Sequence, residues 1–199
     1  RSKAPAKQPC KVNLLIDIQS KLQAGKGAGY ERWAKVFNLK QMAQTMNFLE
    51  ENGLLEYDAL AGKAAAATAQ FNELSGTIKQ AEGRMAEISA LQKQIVNYSK
   101  TRDVYAAYRK AGYSKKFYAA HETEILLHKA AKAAFNALHL QKLPTMKTLQ
   151  AEYAELLAGK KKAYAEYAAA KKEMQEVLTA KANVDRLLGA PPEQPEKDK

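Results

Sequence analysis

A seven-residue repeat of apolar side chains runs from Met146 to Leu188 and constrains the fold more than any other feature of the sequence. Alternate steps of three and four residues meet an apolar side chain everywhere except at Lys160 and Lys181. A repeat of this length places a narrow stripe on one side of a helix, which winds left-handed around a partner helix. The repeat comprises Met146, Leu149, Tyr153, Leu156, Lys160, Ala163, Tyr167, Ala170, Met174, Val177, Lys181, Val184 and Leu188.

A second stretch with the same spacing lies earlier in the chain and predicts that partner. It begins near Glu56, ends at about Ser99, and matches the first stretch in length, each spanning roughly 65 Å at about 1.5 Å per residue. Equal lengths favour an antiparallel pair. Its apolar positions are Leu60, Ala64, Ala67, Phe71, Leu74, Ile78, Ala81, Met85 and Ile88, followed after one slipped step by Leu91, Ile95 and Tyr98.

The sequence therefore predicts an all-α fold built on a long antiparallel coiled-coil hairpin. Its arms are 56–99 and 146–188, within a hairpin region of 55–189. A helical insert, 101–143, forms the tip, with Thr101 capping a helix to Lys110 and Ser114 capping another to about Leu140.

A small N-terminal helical bundle precedes the hairpin, over residues 12–54. We expect helices at 12–23, 30–37 and 39–52, with Asn38 as the N-cap of the third. Residues 1–11 are predicted to be a flexible basic linker, and the proline-containing residues 190–199 a disordered tail.

Composition argues against a membrane-inserted or exported protein and favours a reducing compartment. No run of about 18 uncharged apolar residues occurs, so we expect no membrane insertion. The single cysteine, Cys10, forms no internal disulfide, which favours a reducing, cytoplasmic location. The amino terminus resembles no export signal and lacks an initiator Met, so we expect a piece of a longer protein.

Residues with catalytic or metal-binding chemistry form no recognisable constellation. His121, His128 and His139 are spaced seven and eleven residues apart, and seven residues span about 10 Å of helix. Metal ligands must approach the ion to about 2 Å, so these histidines are predicted to pack or to line an interface. We expect no catalytic residue, no metal and no cofactor.

Two local patterns leave alternatives open in the N-terminal bundle. The turn Gly25–Gly29 is either a phosphate-binding loop or, more in keeping with its spacing, an ordinary interhelical turn. The helices on either side of Asn38 could form a helix-turn-helix that places Lys40 near DNA, although Glu50 and Glu51 would repel phosphates.

The formal net charge of +11 favours a polyanionic partner. Its most informative concentration is Asn97–Tyr118, where six Lys and Arg residues face a single acid, Asp103, and alternate with aromatic residues. Cations that bind phosphates beside rings that stack on bases are typical of single-strand binding. The alternative is that Tyr105 and Tyr108 pack the tip and the cations are solvated. The candidate nucleic-acid-binding residues are Lys100, Arg102, Tyr105, Tyr108, Arg109, Lys110, Tyr113, Lys115 and Lys116.

Three segments resemble the region downstream of the nuclease domain in relaxases of mobile elements from Gram-positive bacteria. They are GKGAGYERWAKVFNLKQMAQTMNFLEENGLLEYDAL, TRDVYAAYRKAGYSKKFYAAHETEI and VLTAKANVDRLLG. The resemblance implies a parent protein that nicks DNA with a tyrosine nucleophile and a histidine-bound metal. This chain has no His-hydrophobic-His motif, and none of its tyrosines has a recognisable catalytic context, so the nuclease is expected to lie upstream.

The resulting hypothesis is a non-catalytic accessory domain of a conjugative or mobilisation relaxase. Its predicted partners are DNA, single-stranded or bound without sequence preference, and proteins of the transfer machinery. One alternative is a structural coiled coil that forms a homodimer or positions the nuclease without touching DNA, with Lys160 and Lys181 setting the register. Another is a helix-turn-helix regulator.

Overall fold

The computed structural model describes residues 12–138 and 143–189. Within them helix accounts for 85% of the residues and no strand occurs, which confirms the all-α prediction. Within the described ranges no helix combines the length and the hydrophobicity that a membrane span requires. In chain order the helices are α1 Ile18–Gln23, α2 Ala28–Glu51, α3 Tyr57–Lys110, α4 Lys115–Ala120, α5 Glu122–Ala137 and α6 Met146–Leu187.

The chain divides into two compact units. Of the described residues, 12–74 and 165–189 form the terminal unit, and those within Ser75–Tyr164 form the middle unit. Both α3 and α6 contribute to each unit. The predicted domain boundaries stay predictions, and the predicted linker, the predicted tail, Cys10 and His139 lie outside the described residues.

In the terminal unit the start of α3 pairs antiparallel with the end of α6. The hydroxyl of Tyr57 donates a hydrogen bond to Asp185 over 2.7 Å, and the rings of Phe71 and Tyr167 lie 5.2 Å apart. Apart from the exposed Leu188, the positions of both repeats in this unit are buried or half-buried, so the stripes cover each other within the chain. The core consists of Leu49, Leu54, Leu60, Ala64, Val177 and Ala180, with Phe48 and Val184 packed against it.

Lys181, a polar position in the repeat, is accommodated inside the terminal unit. Its Nζ lies 2.9 Å from a carboxylate oxygen of Asp185 and 5.9 Å from the centre of the Tyr57 ring. Burial opposes ionisation of Asp185, but hydrogen bonds from Lys181 and Tyr57 outweigh it and lower the pKa of the carboxyl group. The charge in the stripe is therefore paired.

The first predicted helix, 12–23, is wrong over its first half, because residues 12–17 are not helical and α1 begins only at Ile18. The backbone N–H groups of this segment donate to side chains of α2 and α6. These bonds replace the backbone hydrogen bonds that a helix would form within itself. Asp17 caps α1 by accepting from the backbone N–H of Ser20. The bonds are Asn13 N–H to Gln41 Oε1 (2.7 Å), Leu15 N–H to Asn183 Oδ1 (2.9 Å) and Ile16 N–H to Asn38 Oδ1 (2.8 Å).

The second and third predicted helices, 30–37 and 39–52, are one continuous helix, α2. Asn38 does not cap a helix. Its side chain accepts from Ile16 N–H and donates over 2.9 Å to the Ile16 carbonyl oxygen. The helix-turn-helix across Asn38 is therefore wrong, because the turn that this motif requires does not form.

The middle unit joins α4 and α5 to the second part of α3 and the first part of α6. Arg84 bonds Glu152 over 2.7 Å, and Lys160 pairs with Glu82 over 2.7 Å, so these segments are again antiparallel. The hydrogen bond to Glu82 raises the pKa of Lys160, which keeps this second polar position charged and paired. The core is Ile88, Leu91, Ala131, Phe135 and Leu149, flanked by Ile95, Tyr98, Tyr153 and Leu156.

Helix boundaries at the predicted tip differ from the prediction in two places. Helix α3 runs through Thr101 without a break, so Thr101 caps nothing; its buried hydroxyl donates to the Asn97 carbonyl oxygen over 2.7 Å. The predicted helix from Ser114 to Leu140 is interrupted at His121, whose φ of −133° leaves the helical region. The Ser114 cap and the start of α6 at Met146 are confirmed.

Replacing Asn183 with Ala is expected to destabilise the protein strongly. The side chain is 1% exposed, accepts from Leu15, and donates over 3.0 Å each to the Asn13 carbonyl and the Thr45 hydroxyl. Each buried group left unpaired costs about 1–3 kcal/mol, so we expect a decrease of about 3 kcal/mol or more in the free energy of unfolding by urea. Asn47→Ala, on the exposed surface of α2, should change stability by less than about 0.5 kcal/mol. Equal effects would contradict the role of Asn183.

Candidate nucleic-acid interface

The predicted DNA-binding segment covers the end of α3, a short turn and the start of α4, all in the middle unit. All six of its cations, from Lys100 to Lys116, are exposed. Only Arg102 has a carboxylate neighbour among the described residues, Asp103 at 3.3 Å on the same surface. The other five are therefore available to an external anion.

The structure groups these cations unevenly around the helices. Arg102 and Arg109 are seven residues apart and share one side of α3, whereas Lys100 lies about 160° from Arg102 at about 100° per residue. Lys100 is therefore not part of the same face. The densest group flanks the turn between α3 and α4, and we call it the basic turn: Arg109, Lys110, Lys115 and Lys116.

Two residues between the cations of the basic turn, Gly112 and Tyr113, have a left-handed backbone conformation. Gly112 has φ 61° and Tyr113 has φ 59°, a left-handed conformation that costs a non-glycine residue about 1–3 kcal/mol. The Tyr113 N–H donates to the Tyr108 carbonyl over 3.1 Å, and the two rings meet edge to face at 5.2 Å. Packing against Tyr108 thus holds the turn, and with it the four cations.

Most of the interleaved aromatic rings pack against one another instead of facing solvent. Tyr108 is 8% exposed, so it cannot present a face to a base. Tyr105 is half-buried, while Tyr113 is 54% exposed and is the accessible ring of the predicted tyrosines. The ring neighbours of Tyr108 are Tyr105, Tyr113, Phe117 and Tyr118, at centroid distances of 6.1, 5.2, 6.1 and 6.0 Å.

His128 of α5 lies between two tyrosines of α3 and ties the two helices together. Its ring stacks on Tyr105 at 4.2 Å and on Tyr98 at 4.5 Å. The Thr101 hydroxyl lies 3.1 Å from Nδ1. Because that hydroxyl donates its proton to the Asn97 carbonyl oxygen, it accepts from Nδ1 in the tautomer that carries the proton on that nitrogen. The prediction that this histidine packs is confirmed, since it is 4% exposed.

The sequence reasoning missed cations that α5 brings to the same region. Lys129 Nζ lies 5.8 Å from the centre of the Tyr118 ring, close enough for a cation–π contact. Lys132 acts on His128 through its charge. Lys129 and Lys132 are three residues apart on a predicted helix and so lie on the same side of it. This spacing is the sequence signal that could have identified them. With them, residues 98–138 hold eight Lys and Arg against three Asp and Glu.

The described residues were also compared with the arrangements of side chains that hold metal ions. No group of three or more His, Cys, Asp or Glu side chains there could hold a metal ion. His121 lies 3.9 Å from Glu124 on the surface of α5, apart from the buried His128. The exposed cations of the segment can attract and contact an anion.

Comparison of the chain with protein-family models, curated proteins and solved structures returned no match.

We expect stability to fall between pH 7 and pH 5 because of His128. Burial, aided by the charge of Lys132, lowers the pKa of His128 in the folded protein. The unfolded chain, with a pKa of about 6.5, then binds the proton first. The stabilising contribution is full above that value and is lost as the pH falls towards the folded pKa.

His128→Phe keeps a ring between the tyrosines and removes the titrating group. Urea unfolding at pH 7.5, 6.0 and 5.0 should therefore show a flatter pH dependence for this variant than for the wild type. Tyr98→Phe, which changes a ring in the same stack, should retain the wild-type dependence. An unchanged slope in His128→Phe would show that other groups set the pH response.

Proposed function

We propose that this chain is a non-catalytic helical accessory domain that binds the phosphate backbone of DNA through the basic turn. The observation that carries the proposal is the group Arg109, Lys110, Lys115 and Lys116, exposed and without a carboxylate partner in the described residues. Clustered cations attract phosphates without regard to base sequence.

The resemblance to relaxases gives this binding a context. Relaxases act on DNA at a transfer origin, and an accessory domain that holds the backbone would keep the strand near a nuclease in the cytoplasm. We propose this setting for the chain, with transfer-machinery proteins as further partners. The proposal assigns no reaction to any residue of this chain.

The packing of the rings refines what kind of DNA contact is proposed. Because Tyr108 is buried and one face of Tyr105 lies on His128, these rings support the turn instead of stacking on bases. Tyr113 alone of the three offers a largely exposed ring. We therefore propose phosphate contacts as the main source of affinity, with one stacking contact that favours single strands.

The competing hypothesis is a structural coiled coil. It has less support if two copies are to pair through the apolar stripes of α3 and α6. Both apolar stripes are covered inside the chain, in the terminal unit and in the middle unit. Lys160 and Lys181 pair with Glu82 and Asp185 of the same chain. An oligomer would therefore need a different surface.

Removing the four charges of the basic turn should weaken DNA binding and its dependence on salt. We expect a quadruple alanine variant at Arg109, Lys110, Lys115 and Lys116 to bind a fluorescent oligothymidine strand more weakly. If each cation neutralises one phosphate, the slope of log K against log salt should fall by about 0.7 for each cation removed. Fluorescence anisotropy at 50 and 200 mM NaCl measures both quantities.

A charge-matched control separates a local site from general attraction. It removes four exposed lysines of α6 by changing each to alanine, at Lys147, Lys161, Lys162 and Lys171. The control should keep most of the affinity and slope. Equal decreases in both variants would dismiss the basic turn as the DNA-binding surface, and a duplex bound as tightly as the single strand would dismiss stacking by Tyr113.

A further inference from the structure

Helix α2 exposes an apolar stripe on the side that faces away from the core. Val36 is 53% exposed, Leu39 64% and Met46 50%, and Ala43 is exposed between them. At about 100° per residue these four positions fall within about 80° of one another. Large exposed apolar stripes on a monomer commonly mark an interaction surface.

The opposite side of the same helix is already committed to the core of the terminal unit. It carries the buried residues Ala34, Gln41, Thr45 and Leu49. A surface helix normally has one apolar side and one polar side. Helix α2 has an apolar stripe on its outer side as well, so that stripe is expected to have a partner.

The stripe is symmetrical along the helix. It begins at Arg32 and ends at Glu50, and the steps Arg32–Val36–Leu39–Ala43–Met46–Glu50 are four, three, four, three and four residues. The series reads the same in both directions about the level of Gln41. Two copies laid antiparallel across a two-fold axis at that level therefore place each position opposite another member of the stripe.

The residues brought together by this symmetry are complementary in charge and size. Arg32 meets Glu50 of the second copy at both ends, and neither has an ion-pair partner among the described residues of its own chain. Val36 meets Met46, and the large Leu39 meets the small Ala43. A large residue facing a small one allows helices to interdigitate closely, as in coiled-coil packing.

We propose that two copies of this chain associate through the outer stripe of α2, antiparallel about a two-fold axis at the level of Gln41. The occupant of the stripe is thus a second copy, because a surface that matches itself in charge and spacing is what an isologous interface requires. This association is independent of the proposed DNA binding, which would use residues of the middle unit.

The first test is sedimentation of the full chain at several concentrations. We expect a monomer–dimer equilibrium between about 1 and 200 µM, the behaviour of a small interface. A monomer throughout this range would overturn the proposal.

Charge exchange tests the register. Arg32→Glu places two carboxylates at each end of the interface and should raise the dimer dissociation constant at least about tenfold. The double variant Arg32→Glu with Glu50→Arg restores opposite charges and should return the constant to within about threefold of the wild type. Lys21→Glu, with the same change in net charge on α1, should leave it unchanged. Failure of the double variant to rescue would overturn the antiparallel register.

An apolar substitution tests the stripe itself. Leu39→Asp should abolish the dimer, whereas Leu55→Asp, at a residue 59% exposed outside α2, should not. Circular dichroism of each variant checks that the helices remain. A dimer that survives Leu39→Asp would show that another surface joins the copies and would overturn the proposal.

Discussion

Burial of two narrow apolar stripes is the constraint on which the structure depends. Helices α3 and α6 each carry such a stripe, and neither can leave it exposed to water without losing most of its hydrophobic stabilisation. In the terminal unit and again in the middle unit the stripes meet each other antiparallel. The shorter elements then cover the sides that this pairing leaves open, α2 in one unit and α5 in the other.

Polar side chains complete each unit where helices alone would leave backbone groups unpaired. The segment of residues 12–17 is held by amides from α2 and α6, and Arg186 donates to the Leu15 carbonyl over 2.9 Å. These contacts join residues far apart in sequence and specify one arrangement of the terminal unit. In the middle unit Thr101 and His128 do the same between α3 and α5. Such buried networks favour a single packing because each broken bond leaves a costly unpaired group.

In the segment Asn97–Tyr118 cations and aromatic rings alternate along the sequence, but in the structure they have separate roles. The rings of Tyr105, Tyr108 and Phe117 turn inward and support the backbone, while the cations between them turn outward. Tyr113, whose backbone is in the left-handed conformation, lies in the turn between the last cations of α3 and the first cations of α4. The result is a positive surface with few accessible rings, and on this basis we propose contact with phosphates in place of recognition of bases.

The sequence by itself determined the long helices and their stripes. The spacing of apolar side chains along one helix is a property of that helix alone and can be read without knowing which helix packs against it. Leu60, Ile88, Leu149 and Val177 are buried as their spacing predicts. Only the tertiary structure decided that residues 12–17 avoid a helix, that Asn38 and Thr101 lie inside helices, and that Tyr108 is covered. Partners from other elements take part in these outcomes, such as Asn183, which lies 168 residues from Leu15. Local propensity carries no information about such a partner.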